Sequence, residues 1–396
     1  MIPLPPSLPK GSFGATSPPS LPKEGFGATG RWCVVAVLAM VLGVPRPVDT
    51  AGQDAVPRLP ADYLTALASY RAGDLAAAFG QLQQVGESQV MDITKRLMRP
   101  DVAAGANWPR LLMAAILLHT EAFLIRAEAE TGGPAASDGY LASARLLVRR
   151  LLQLAEDGQP GIGEKERRFA RDWYLLLVAV QHGRAEVGWS RAYLEEALKS
   201  FPKDPYLRVA LGSNHEMLSD LSVGYVNYVD ASGRYLRQGS VDAAHELRDA
   251  IRCLEEAVVL APQLFEARLR LGRLLYRRGE LDRAAKELET ARQLAPQVEL
   301  KYLALLFSGM VEAARGSYDR ADRFYTDALQ LLPAGQTAAI AKAETAYLRG
   351  RVSEAAATVQ AVLQQTKKED PWWGYMSGES WHLEHRLEWL RQYVQQ

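Results

Sequence analysis

A grid of glycines, alanines and prolines, repeated in register, limits what this chain can fold into more than any other feature. Seven residues lead from Gly272 to Gly279, five to Ala284, seven to Ala291 and five to Pro296, and the same intervals run from Gly309 through Gly316, Ala321 and Ala328 to Pro333. Antiparallel helices approach closely only where small side chains stand at the crossing, so the first glycine and the two alanines predict a packed helix pair. Gly279 and Gly316 end the first helix of each pair, since a residue without Cβ takes the left-handed backbone of a helix C-cap. Asp282 and Asp319 follow in the first turn of the second helix, where an acidic side chain suits the positive helix N-terminus. The prolines then stop that helix.

Carried outward, the grid gives a third, worn unit over 336–367, with Ala343, Gly350 and Ala355 in register, Val359 at the large position and Val362 replacing the second alanine. Upstream, Ala250, Leu254, Ala257 and Pro262 make a second helix whose partner carries Gly212, but the usual twelve-residue spacing has grown to 38. The surplus lies near 219–244, where Tyr225, Tyr228, Asp230, Gly233 and Tyr235 show no helical period, and it reads as an inserted loop or irregular segment. Weaker matches are Ala197 with Pro202, and Ala66 with Gly73 and Ala78. Residues 108–182 are helical by pattern, broken by glycine-rich stretches at 132–138 and 157–163.

These intervals resemble the tetratricopeptide-repeat family, most specifically over 205–368 and more weakly from about residue 60. The resemblance implies an all-α fold, a right-handed superhelical array of antiparallel helix pairs in which the first helices line a concave groove for peptides or partner proteins. The family's frequent tryptophan at the fourth position is replaced by Arg268, Leu305 and Ala339. Its lysine and asparagine clamp for C-terminal carboxylates is absent too, because Val209 with Ser213, or Leu269 with Arg273, do not match it. Along the expected groove the three repeats present Glu266, Leu269, Arg273, Tyr276 and Arg277; then Leu303, Leu306 and Met310; then Thr337, Ile340, Glu344 and Tyr347. Aromatic, apolar and arginine side chains of this kind are common interface anchors. Glu266, Leu269, Arg273, Tyr276, Arg277, Met310, Glu344 and Tyr347 are the candidate partner-binding residues.

Lys plus Arg equals Asp plus Glu at 46 each, with no block of one sign, which speaks against a nucleic-acid partner. Only Cys33 and Cys253 are present, so the body of the protein has no internal disulfide and no paired-cysteine metal site. Arg31 precedes an uncharged apolar run, residues 32–44, too short for an ordinary membrane span and suited to a signal-peptide core. Export to the periplasm or medium is the expectation, with an uncleaved membrane anchor at 32–44 as the alternative. Before it, residues 5–17 are nearly repeated at 18–30, a proline-rich tandem repeat read as sequence upstream of the true start or as an extended arm. The chain thus divides into a low-complexity tandem repeat (1–30), a signal peptide or anchor (31–55), a degenerate helical-hairpin region (56–204), the repeat array (205–368) and an aromatic capping segment (369–396).

His382-Leu383-Glu384-His385 falls one residue short of the spacing a zinc protease helix needs, and no third ligand stands near it. No phosphate loop, nucleophile elbow or dinucleotide fingerprint occurs, so no catalytic, cofactor or metal residues are assigned. Trp372 and Trp373, ahead of a last amphipathic helix, are expected to dock on the final repeat as a cap, since a terminal repeat must cover the open end of its core. The function expected is a noncatalytic exported scaffold for a protein or peptide. The alternative is an accessory subunit of an envelope enzyme or glycan-handling complex, with the C-terminal aromatics on polysaccharide.

Overall fold

The computed structural model describes residues 59–99, 108–129, 139–183, 186–220, 225–229, 235–365, 370–376 and 383–395. The tandem repeat, the apolar segment 32–44 and the side chains of His382 and His385 lie outside the described residues. Small-residue crossings and glycine caps divide the rest into helices: α1 (Ala61–Arg71), α2 (Leu75–Val85), α3 (Glu87–Leu97), α4 (Trp108–Ala129), α5 (Gly139–Glu156), α6 (Glu164–Gly183), α7 (Val187–Ser200) and α8 (Pro205–Asp220). A hairpin of β1 (Tyr225–Val229) and β2 (Tyr235–Ser240) follows. Then come α9 (Ala243–Leu260), α10 (Phe265–Arg277), α11 (Leu281–Leu294), α12 (Val298–Ala314), α13 (Tyr318–Leu331), α14 (Gln336–Leu348), α15 (Val352–Leu363), the short α16 (Pro371–Met376) and α17 (Leu383–Gln395).

The repeat grid works as close packing. A Cβ added at Gly272 would lie 2.6 Å from Leu288 Cγ, and one at Gly309 only 2.3 Å from Tyr325 Cε1. Ala284, Ala291, Ala321 and Ala328 are fully buried on the facing helices. At the end of α10, Gly279 has φ of 83°. Its N–H donates to the Tyr276 carbonyl and the next N–H, of Glu280, to that of Leu275, which satisfies two of the helix's orphan acceptors. Gly73 closes α1 with the same two bonds, and Ala66 and Ala78 are fully buried, so the weakly matching α1–α2 pair is built like the units far downstream.

The segment expected to be irregular is a hairpin. β1 and β2 pair antiparallel with Tyr225 opposite Ser240 and a register shift between Tyr228 and Val229, and β1 touches α7. Its tyrosines and valines favour extended backbone, which is why no helical period was legible there. The hairpin leaves the helix pair around it intact. A Cβ on Gly212 of α8 would meet Leu254 of α9 at 2.8 Å, the crossing that Gly272 makes with Leu288.

From α4 onward each first helix touches the next: α4 touches α6, α6 touches α8, α8 touches α10, α10 touches α12 and α12 touches α14. The second helices α9, α11, α13 and α15 make no comparable contacts with one another, so it is the first helices that pack as a continuous layer. Two large apolar cores fill most of the array and meet in α8, where Leu207 belongs to the N-terminal core and Val209 to the C-terminal one. Helix α4 is buried along most of its length because α1, α2, α5, α6 and α17 cover it. Its Trp108–Arg126 stretch is long and apolar enough to cross a membrane, yet 78% of it is buried inside the protein.

Candidate peptide-binding face

Three arginines on α10 define the middle of the first-helix face. Arg270, Arg273 and Arg277 stand three and four residues apart, hence on one side of the helix, and that side meets the C-terminal end of α8. Arg270 Nη1 donates to Glu216 Oε2 at 2.9 Å and Arg273 Nη1 to Glu216 Oε1 at 2.6 Å. Asp220, one turn on, receives Arg273 at 2.9 Å and Arg277 at 2.7 Å. Arg277 also donates to the hydroxyl and the carbonyl of Ser219. Burial alone would raise the Glu216 carboxyl, but the two guanidiniums outweigh it and hold the group below the usual carboxylate range. It remains an anion in the protein interior, able to accept further hydrogen bonds.

What accepts that offer is the chain's own C-terminal segment. The Tyr375 hydroxyl donates to Glu216 Oε1 at 2.5 Å, and burial together with the adjacent Glu216 charge keeps this phenol protonated, far above its ordinary pKa. The Arg270 guanidinium lies 4.6 Å over the Tyr375 ring, and that of Arg273 lies 5.1 Å over Trp372. Trp372 and Tyr375 are nearly parallel, and Phe307 of α12 meets both edge-on, with centroids 5.9 and 5.2 Å away. Asp370 anchors the start of α16: its Oδ2 accepts from the Tyr302 hydroxyl at 3.0 Å and from the Thr337 N–H at 2.6 Å, and its Oδ1 accepts from the Trp372 N–H at 2.9 Å. Helix α17 continues along the same row of first helices. Arg391 forks onto Glu121 of α4, Tyr393 packs edge-on against Phe169 of α6, and Leu390 and Val394 complete the N-terminal core.

The C-terminal segment therefore reaches past the last repeat that it was expected to cap and runs back over α12, α10, α8, α6 and α4. Its aromatic side chains find arginines and Phe307 there, which offer more contact than the alanine-rich α14–α15 pair, whose own buried cluster is Ala343, Ala346 and Ala355. On this face a cavity of about 40 Å³, bordered by Tyr206, Ser213, Leu264 and Glu266, has room for a water molecule, far below the several hundred cubic ångströms of a metabolite pocket. A polypeptide laid along the helices suits such a surface better. Among the described residues no group of three or more His, Cys, Asp or Glu side chains has the geometry to hold a metal ion.

The sequence-derived candidates fall into three sets. Leu269 is fully buried and presents nothing to a partner: helical spacing put it beside Arg273, but its side chain faces the core. Arg273 and Arg277 lie on the expected face, inside the ion cluster, while Glu266 accepts a hydrogen bond from Arg270 at 3.0 Å, and Tyr276 and Met310 pack half-buried on the core. Of the other first-helix positions, Leu303 and Leu306 are fully buried as well. On α14, Ile340, Glu344 and Tyr347 form an exposed stripe, with Ile340 at 50% and Tyr347 at 61% exposure. Glu216, Asp220, Arg270, Asp370 and Tyr375 were not among the candidates. The three arginines at helical spacing were the one visible sign that a carboxylate had to face them.

Residues 240–299 and 312–377 match families described as Tetratricopeptide repeat. No curated protein sequence matches the chain. Among solved structures it is similar to PilF of Pseudomonas aeruginosa, at 17% identity over 51% of this chain and 79% of that one, with a TM-score of 0.41. It is similar also to MamA of Desulfovibrio magneticus RS-1, at 16% identity over 51% of this chain and 95% of that one, with a TM-score of 0.38. A third is TTC0263, a thermophilic TPR protein of Thermus thermophilus, at 22% identity over 52% and 98%, with a TM-score of 0.38.

Proposed function

Since this chain is a tetratricopeptide-repeat protein, an architecture that holds other polypeptides, we propose that it is a noncatalytic scaffold that grips a partner protein or peptide on its first-helix face and works outside the cytoplasm. One observation carries the binding reading: the face already holds a polypeptide, residues 370–376, through aromatic, arginine and carboxylate contacts of the kind found at interface hot spots. The exposed Ile340, Glu344 and Tyr347 stripe extends that surface onto α14. Export rests on the sequence of residues 31–55 alone. The glycan-contacting alternative loses one of its two platform residues, because the Trp372 ring is packed between Arg273, Tyr375 and Phe307.

The test is site-specific photo-cross-linking from position 347 of the full chain in envelope extract of its source organism, repeated with Ile340→Asp. A defined protein captured by the first and lost with the second supports the scaffold. Capture of polysaccharide alone, unaffected by Ile340→Asp, replaces it with the accessory-subunit reading. Amino-terminal sequencing of the native protein checks export: a new terminus between residues 43 and 56 is expected, and an intact apolar run would make 32–44 an anchor.

A further inference from the structure

Resting on the reading of the first-helix face as the binding surface, we infer that residues 370–376 are a self-ligand: the site formed by α8, α10, α12 and the start of α14 recognises protein segments of the form Asp-x-Trp-x-x-Tyr, and the chain's own copy keeps it closed until such a segment displaces it.

The chemistry of the contacts specifies the ligand. Three separate subsites are filled by three side chains at fixed spacing in Asp370-Pro371-Trp372-Trp373-Gly374-Tyr375. An acidic residue is held by the Tyr302 hydroxyl and the Thr337 N–H, a large ring lies between Arg273 and Phe307, and a phenol reaches the buried Glu216. The last subsite favours a hydroxyl, since Glu216 Oε1, already paired with Arg273, also accepts from the Tyr375 phenol, and a phenylalanine would forfeit that buried hydrogen bond. The position directly after the first ring is not read in the same way. Trp373 is 55% exposed, and no contact on the face requires its side chain.

Displacement is feasible because the site does not depend on its occupant. Glu216 is paired with Arg270 and Arg273, and Asp220 with Arg273 and Arg277, and none of these ion pairs uses a residue of α16. The charges of the face balance within α8 and α10, so on this proposal it stays formed when α16 leaves. Helix α16, in contrast, has six residues, too few to be helical alone, and is ordered by what it touches. Its attachment to the same chain gives it a local concentration of the order of millimolar, so a competing segment at lower concentration must bind with more contacts than α16 makes. The exposed stripe on α14, beside the Asp370 subsite, can supply them.

The probe is a fluorescent peptide with the sequence of residues 369–377, measured by anisotropy against the full chain and against the full chain carrying Trp372→Ala and Tyr375→Ala. Binding to the substituted chain at least tenfold tighter than to the native one is expected, and a peptide with phenylalanine in place of its tyrosine should bind at least tenfold more weakly. A second readout needs no variant: hydrogen exchange of the native chain with excess peptide should accelerate at the amides of 370–376. Peptide that binds both chains equally, or neither, or that leaves exchange of 370–376 unchanged, overturns the self-ligand. The scaffold reading fails separately. A partner captured from position 347 with the same yield whether or not the double substitution or the peptide is present keeps the scaffold and removes the self-ligand; displacement by peptide with no partner captured does the reverse.

Discussion

His119 is held between two hydroxyls with no exposure to water: Nε2 lies 3.0 Å from Tyr63 Oη and Nδ1 lies 2.7 Å from Ser143 Oγ. Burial drives its pKa down to about 3, so between there and the unfolded chain's value near 6.5 it is neutral in the folded protein while the unfolded imidazole takes up a proton. Between those two values the unfolded state binds more protons, and stability falls as the pH is lowered through that window. By pH 5 the loss from this one side chain is about 2 kcal/mol. Chemical denaturation at pH 7.5 and pH 5 should give a difference smaller by about that amount in His119→Gln than in the native protein. An equal difference in both would mean that His119 is protonated in the folded state. Cys253 obeys the same physics with the opposite outcome for reactivity: burial pushes its thiol up to about 11, so it is a packing residue and a poor nucleophile.

Two glycines of successive repeats are needed for different reasons, and the helix pair is the scale at which they separate. Gly309 allows α12 to approach α13, and a Cβ there would lie 2.3 Å from Tyr325 Cε1, while Gly279 has open space around it and a φ of 83°. Gly309→Ala should cost about 1–3 kcal/mol through overpacking. Gly279→Ala should cost about 1 kcal/mol through backbone strain. A double-mutant cycle with Tyr325→Ala tells them apart: coupling is expected for Gly309→Ala and additivity for Gly279→Ala. Additivity in both would mean that the backbones do not meet at Gly309. The same small-residue logic explains the hairpin, because the Gly212 to Leu254 crossing survives the insertion of β1 and β2 between its two helices. The repeat depends on which helices meet and tolerates what the connection between them contains.

Across the whole molecule the C-terminal segment does what no repeat does, joining parts distant in sequence. Leu390 on α17 is fully buried in the N-terminal core, and Leu390→Ala should cost about 2–5 kcal/mol. The effect should appear as faster hydrogen exchange in α4 and α6, while α10–α13 keep their protection; a uniform loss across the array would mean that the two cores unfold as one unit. Repeats, helix pairing and the first-helix layer were legible in the sequence, because each unit contacts its neighbours and those contacts recur at a fixed interval as glycine against leucine and alanine against helix. Which residues share a helical face was legible as well, but not what covers the face, so Leu269 and Arg273 read alike while one fills the core and the other enters an ion cluster. Tyr375 meets Glu216 across 159 positions and Arg391 meets Glu121 across 270. Such pairings occur once, leave no period, and depend on where the finished array brings Glu216, Arg270 and Phe307 together. The sequence alone therefore determined the architecture, and only the tertiary structure decided that the chain lays its own end along the surface expected to hold a partner.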